Sequence, residues 1–176
     1  MVRLADLLAH CGGRLDPRHA AWVISELLNI ACYLDWAGLA HGEVSADSVF
    51  VCPATHQAAL LGGWWYAAPL GSRLTALPAR TVAVLPRSVA ADGLAVSRIT
   101  LESIRLLGRE MLGDGTGLRF GADPGIPKPL AAWLRLPAPD QALQDYAGWQ
   151  DVLADSFGPR RFTELAVGFD DIYTER

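Results

Sequence analysis

The chain has 176 residues, of which 51% are hydrophobic, so its length predicts one domain, or one lobe of a larger fold, with a substantial core. Its formal net charge of −4 argues against a nucleic-acid-binding surface, and Lys128 is its only lysine. No apolar run is long enough to span a bilayer, and the first residues lack the layout of a signal peptide, so we expect a cytoplasmic protein.

The first two predicted elements are helices separated by a pair of glycines. Periodic apolar residues predict a short amphipathic helix over residues 2–9, which the glycines end. Asp16 is placed to cap the next helix, and Pro17 suits its first turn. This helix continues to residue 35 with an apolar stripe formed by Ala20, Val23, Ile24, Leu27, Ile30, Ala31 and Leu34.

A polar loop and a predicted β-hairpin follow the long helix. The loop contains His41, Glu43 and Ser48, and a short turn joins strand-like runs at residues 49–51 and 58–61. The residues that come after the hairpin are Gly62, Gly63, Trp64, Trp65 and Tyr66.

This arrangement resembles the catalytic and metal-binding loops of the protein-kinase-like superfamily. That family has a catalytic Asp and a metal-binding Asn where this chain, at the same spacing, has Glu43 and Ser48. The metal-binding Asp of the family's Asp-Phe-Gly motif is replaced by Gly62 or Gly63. Because glycine offers no ligand and serine only a weak one, the resemblance implies a pseudokinase-like protein that does not bind ATP–magnesium.

The other polar groups of the loop have more than one interpretation. Glu43 could accept a proton, but it is one methylene longer than Asp, and a displacement of about an ångström can cost on the order of a hundredfold in rate. His41 is expected to brace the loop, as its counterpart does in the resembling family. Asp47 could ligate a metal, although a Ser-Ala-Asp-Ser run favours an exposed turn.

The second half of the chain is predicted to be mostly helical. Residues 64–96 lack periodicity and are expected to be irregular, in the position of a kinase activation segment. A strong helix over residues 99–112 resembles the central buried helix of a kinase C-terminal lobe, with Thr100 where that helix offers an Asp to brace the catalytic loop. Further helices are predicted at residues 129–136, 140–155 and 159–167.

Cysteines, histidines and tryptophans outside the loop suggest structural roles. The cysteines and histidines lack the spacing of a metal site or a disulfide framework, so we expect free thiols and no metal. They are Cys11, Cys32, Cys52, His10, His19, His41 and His56. Four tryptophans are expected to pack within the helical core: Trp22, Trp36, Trp133 and Trp149.

Together the resemblance implies a mainly α fold with a small β-hairpin, equivalent to a kinase-like C-terminal lobe without the N-terminal lobe. We expect one domain over residues 1–167 and an acidic tail over residues 168–176. The implied function is a non-catalytic protein-interaction or scaffold module without cofactor, metal, nucleic acid or membrane.

The expected partner is another protein or a second copy of the chain. Trp64, Trp65 and Tyr66 either fill the vacant nucleotide cleft or form an exposed patch for that partner. Two alternatives stay open. One is a phosphotransferase that takes its nucleotide-binding lobe from another chain, and the other is a structural subunit of a larger assembly such as a viral particle.

Overall fold

The structure is a computed structural model that describes residues 1–174. It is a mixed α/β fold with about 48% helix and 10% strand in two small antiparallel sheets. The elements in chain order are β1 (Val2–Arg3), α1 (Leu4–His10), α2 (Pro17–Trp36), β2 (Leu39–His41), β3 (Val49–Cys52), β4 (Gln57–Leu60), a 3₁₀ turn (Trp64–Tyr66), β5 (Ala67–Pro69), α3 (Ala79–Val82), α4 (Arg87–Asp92), α5 (Ser97–Met111), α6 (Lys128–Arg135), α7 (Ala142–Phe157) and α8 (Phe169–Tyr173).

Two helices, α2 and α5, form the centre of the core. As predicted, α2 begins at a capping Asp16, whose side chain accepts a hydrogen bond from the Arg18 amide at 2.8 Å. Its apolar stripe packs against α5, which is buried around most of its circumference. Leu27 of α2 and Leu107 of α5 are both buried in this core. The two strongest predicted helices are therefore confirmed.

Helices α6 and α7 pack against this pair. Trp149 is fully buried, and its Nε1 donates to the Ser25 hydroxyl at 2.8 Å. The ring of Trp133 lies 4.5 Å from that of Trp149, centroid to centroid. These two tryptophans pack as predicted, and Trp22 is half-buried. The prediction for Trp36 is wrong: it ends α2 at the margin of the core, and it is 81% exposed.

A buried ion pair joins α5 to α7. Arg105 donates two hydrogen bonds to the carboxylate of Asp145, at 2.5 and 2.7 Å, and both side chains are 3% exposed. The guanidinium also lies over the ring of Trp133, 3.9 Å from its centroid. Removing either charge would leave the other buried without a partner.

The two sheets lie at the ends of the polar loop. The predicted hairpin is confirmed as β3–β4, and β1 pairs with its other edge in the order β1-β3-β4. Because Val2 and Arg3 are in this sheet, the first helix begins later than predicted. The second sheet pairs β2 with β5 and sets His41 opposite Ala67. This pairing was not predicted.

The region expected to be irregular, residues 64–96, contains a 3₁₀ turn, β5, α3 and α4. These elements are too short to show periodicity, and contacts with the rest of the chain hold them. The buried hydroxyl of Thr81 donates to the Gly42 carbonyl at 2.8 Å, and Arg80 donates to the Val44 carbonyl at 2.8 Å. The prediction of an irregular segment was therefore incomplete.

The helix predicted over residues 159–167 is absent. Gly158 ends α7 with a φ of +70°, and residues 159–167 have no regular secondary structure. A short helix, α8, forms instead within the predicted acidic tail, whose residues 175 and 176 lie outside the described part of the chain. It packs on α1, where the Tyr173 hydroxyl donates to Asp6 at 2.7 Å.

Within residues 1–174, none of the helices combines the length and the apolar character needed to cross a membrane.

Candidate functional site

The loop between β2 and β3 is organised around His41, which is fully buried. Its Nδ1 lies 3.2 Å from the Glu43 amide, which can only donate, so Nδ1 carries the lone pair. The proton is then on Nε2, which donates to the Gly62 carbonyl at 3.1 Å. Burial lowers the pKa of His41 and favours this neutral form. Both ring nitrogens are thus engaged in holding the loop.

Thr100 braces the same residue from α5. Its hydroxyl accepts a hydrogen bond from the His41 amide at 2.9 Å and donates to the His41 carbonyl at 3.2 Å. Thr100 is 3% exposed, so no solvent replaces these bonds. The structure therefore brings Thr100 to the loop at the point where the sequence resemblance expects a bracing side chain.

Ser48 is buried and its hydroxyl is used within the loop. The Ser45 amide donates to it at 2.8 Å, and its own proton is directed to the carbonyls of Glu43 and Ser45, both at 3.1 Å. The Ser45 hydroxyl lies 3.3 Å away. A hydroxyl has one proton and two lone pairs, so this network uses most of its capacity. Ser48 stabilises the turn and has little left to offer a metal ion.

The two glycines after β4 allow the chain to close against the loop. A Cβ at Gly62 would lie 3.0 Å from the Cα of Ser48. Gly63 has a φ of +75°, and a Cβ there would lie 3.0 Å from both Glu43 Oε2 and His41 Cε1. Either glycine accepts a side chain only if its neighbours move, so close packing explains the pair.

Glu43 and Asp47 are the carboxylates of the loop. Glu43 is half-buried, and the Ser45 hydroxyl approaches it at 3.4 Å. Asp47 is an exposed turn residue that forms an ion pair with Arg3 at 3.3 Å, with 75% of its side chain exposed. The turn interpretation of Asp47 is therefore confirmed.

The aromatic residues after the glycines form a face that is fastened to the loop. We call Leu61, Trp64, Trp65 and Tyr66 the aromatic face. Trp64 is 44% exposed, and its ring meets that of His41 edge-on with 4.9 Å between centroids. Its Nε1 donates to the Leu60 carbonyl at 3.1 Å.

Trp65 is the most exposed member of this face, at 76%, and Leu61 is 59% exposed. Tyr66 is half-buried, and its carbonyl accepts a hydrogen bond from the Gly42 amide at 3.2 Å. The sequence left two arrangements open, aromatic residues that fill the cleft or aromatic residues that form an exposed patch. Trp65 is exposed, on a turn whose backbone is hydrogen-bonded to the loop.

A second aromatic cluster lies at the turn of the β3–β4 hairpin. The ring of His56 is stacked between those of Trp22 and Phe162, at centroid distances of 4.7 and 4.2 Å. His19 meets it edge-on at 6.5 Å, and burial lowers the pKa of both histidines. The scattered spacing of these residues gave no sign that they meet.

A surface groove of about 560 Å³ lies between the end of α2 and the first turns of α5 and α7. The Asp35 carboxylate at its base accepts hydrogen bonds from the Ser97 hydroxyl and, at 2.8 Å, from the Ala142 amide. Asp35 thus binds the first residue of both α5 and α7, and satisfies a free backbone amide only in α7, so its role there is structural.

Cys11, Cys32 and Cys52 are free and partly buried. In the part of the chain that the structure describes, no three His, Cys, Asp or Glu side chains are arranged to hold a metal ion.

No protein-family model matches this chain, and no curated protein is significantly similar to it in sequence. The kinase-like resemblance consequently remains a prediction that depends on the loop residues and their spacing.

Proposed function

We propose that the chain is a non-catalytic, pseudokinase-like interaction module that binds another protein through its aromatic face. The observation that carries this proposal is the 76% exposure of Trp65 on a turn fastened to the loop. Exposed apolar patches on proteins commonly mark interfaces, and tryptophan is enriched among the residues that dominate binding energy. The proposed location is the cytoplasm, which suits three free cysteines.

The state of the loop supports the non-catalytic part of the proposal. Phosphoryl transfer depends on magnesium held by an Asp and an Asn. In this chain the corresponding positions carry Ser48 and a glycine, and the Ser48 hydroxyl is committed to the turn. Both nitrogens of His41 are committed as well, so it is not free to act as a base.

The hydrogen-bonded backbone around Trp65 supports the proposal that the aromatic face binds another protein. The 3₁₀ turn is closed by the Tyr66 amide, which donates to the Gly63 carbonyl at 3.0 Å, and β5 pairs with β2 directly after it. A preformed surface loses less conformational entropy on binding than a flexible one. Trp65 can therefore contribute most of its apolar area to an interface.

A comparison of two tryptophan variants tests this function. Trp65 and Trp36 are similarly exposed, at 76% and 81%, but lie on different elements, so Trp65→Ser and Trp36→Ser are a matched pair. In quantitative pull-downs from native extract, we expect Trp65→Ser to lose a partner that wild type and Trp36→Ser both recover. Light scattering of the three proteins tests whether that partner is a second copy. Equal recovery by all three proteins would contradict a docking role for the aromatic face.

A further inference from the structure

We propose that the partner meets the aromatic face with a basic segment, in which an arginine or lysine beside an apolar side chain pairs with Glu43. This inference rests on the proposed function, because it assigns the chemistry of the partner to the same face. Glu43 lies beside the face at Gly63. A Cβ built on Gly63 would be 3.0 Å from Glu43 Oε2.

Within the described residues, no ion pair balances the negative charge of Glu43. Among residues 1–174, its one hydrogen-bond donor, the Ser45 hydroxyl, is 3.4 Å away. The two arginines that contact the loop already have carboxylate partners: Arg3 binds Asp6 at 2.7 Å, and Arg80 binds Glu110 at 2.5 Å. The Glu43 carboxylate therefore has no positively charged partner among the neighbouring residues that the structure describes.

The position of Glu43 makes a cation the complementary group. Glu43 packs against Gly63, the residue directly before Trp64, so its carboxylate adjoins the aromatic face. A guanidinium that paired with this carboxylate would approach the aromatic face, where cation–π attraction adds to the ion pair. The carboxylate is half-buried, so its attraction to a cation is screened less than at an open surface.

Other partner chemistries fit this surface less well. A phosphorylated or acidic segment, or a nucleic acid, would bring negative charge next to Glu43. A purely apolar segment would cover the carboxylate without neutralising it, and burying an unpaired charge costs several kcal/mol. In a basic residue flanked by apolar ones, the cation pairs with the Glu43 carboxylate and the apolar side chains pack on the exposed indoles.

Selection from a random peptide library displayed on phage tests the inference with the full-length chain as bait. We expect the enriched peptides to share an arginine or lysine beside an apolar residue. Their affinity should fall about tenfold in Glu43→Gln, as for close interfacial charge pairs. Glu43→Asp keeps the charge and should keep most of the affinity. Rising salt should weaken binding to wild type and affect Glu43→Gln much less.

Two further variants separate this inference from the proposed function. Trp65→Ser should abolish binding of the same peptides, whereas Trp36→Ser should bind them as wild type does. Peptides that need Trp65 but bind Glu43→Gln at full affinity, or that are acidic or uncharged, would overturn the inference and leave the docking face intact. Peptides that bind Trp65→Ser normally, or a selection without enrichment, would count against both. Unchanged melting temperatures would show that the variants are folded.

Discussion

Replacing Thr100 with valine removes one hydroxyl from the contact between α5 and the loop and keeps the shape of the side chain. That hydroxyl accepts from the His41 amide at 2.9 Å and donates to its carbonyl at 3.2 Å. Both residues are almost fully buried, so water cannot replace either bond without a rearrangement. We therefore expect Thr100→Val to destabilise the fold.

The magnitude follows from the groups that lose a partner. A buried amide left without an acceptor costs about 1–3 kcal/mol. For a chain of this size, 1 kcal/mol corresponds to a change of about 2–4 °C in melting temperature. Thr100→Ser is the control: it keeps the hydroxyl and loses one buried methyl group, which is worth about 1 kcal/mol.

Urea melts give the change in unfolding free energy, and amide hydrogen exchange gives its location. The His41 amide should exchange faster in Thr100→Val than in Thr100→Ser, because only valine removes its acceptor. If Thr100→Val were as stable as wild type and its His41 amide equally protected, the loop would not depend on this brace and our description of it would be wrong.

Three further predictions concern the core and its charged groups. Leu27→Ala should lower the unfolding free energy by about 2–5 kcal/mol in urea melts, and a neutral result would mean that the α2 stripe is not the core face. Arg105→Met should cost about 3–5 kcal/mol because Asp145 would remain buried without a partner, and adding Asp145→Leu should recover part of the loss. Melting temperature should fall as the pH drops below about 6.5, since histidines kept neutral by burial stabilise the fold above their ordinary pKa and lose that contribution as they protonate. The histidines whose pKa is lowered are His19, His41 and His56. His56→Gln should flatten this dependence, and a melting temperature that rose on acidification through that range would contradict the assignment.

The parts of the fold that were predicted correctly have local signals. Asp16 and Pro17 are adjacent residues that mark the start of α2, and the apolar stripe predicts that the helix continues to its observed end. The β3–β4 hairpin likewise joins neighbouring strands through a short turn. The contact between Thr100 and the loop was predicted from the position of Thr100 in the kinase-like pattern. The apolar periodicity of α5 alone would not have predicted it.

The parts that were missed depend on contacts between distant residues. The partners in β2 and β5 are only three residues each, too short to show alternation. Arg105 and Asp145 are separated by 40 positions, and nothing in either local sequence predicts that they meet. The helix expected over residues 159–167 does not form: Gly158 ends α7 with a φ of +70°, and the residues after it lead without regular structure to α8, which contacts α1.

The candidate site was predictable in position and only partly in chemistry. Spacing located His41, Glu43, Ser48 and the glycines, but it did not show that the Ser48 hydroxyl is already used within the turn. Nor did it distinguish between a filled cleft and an exposed patch. The exposure of Trp65 depends on how the 3₁₀ turn is fastened to the loop, and that follows from backbone bonds between residues far apart in the chain.

The central claim, that this loop supports docking and not phosphoryl transfer, is tested most directly by a thermal-shift titration with ATP and magnesium. We predict no change in melting temperature at millimolar ligand. Ligand at a hundred times its dissociation constant would raise the free energy of unfolding by about 2.7 kcal/mol, which corresponds to a rise of about 5–10 °C in melting temperature. A rise of that size, lost in Glu43→Ala or Asp47→Ala, would contradict the claim and favour a phosphotransferase completed by a second chain.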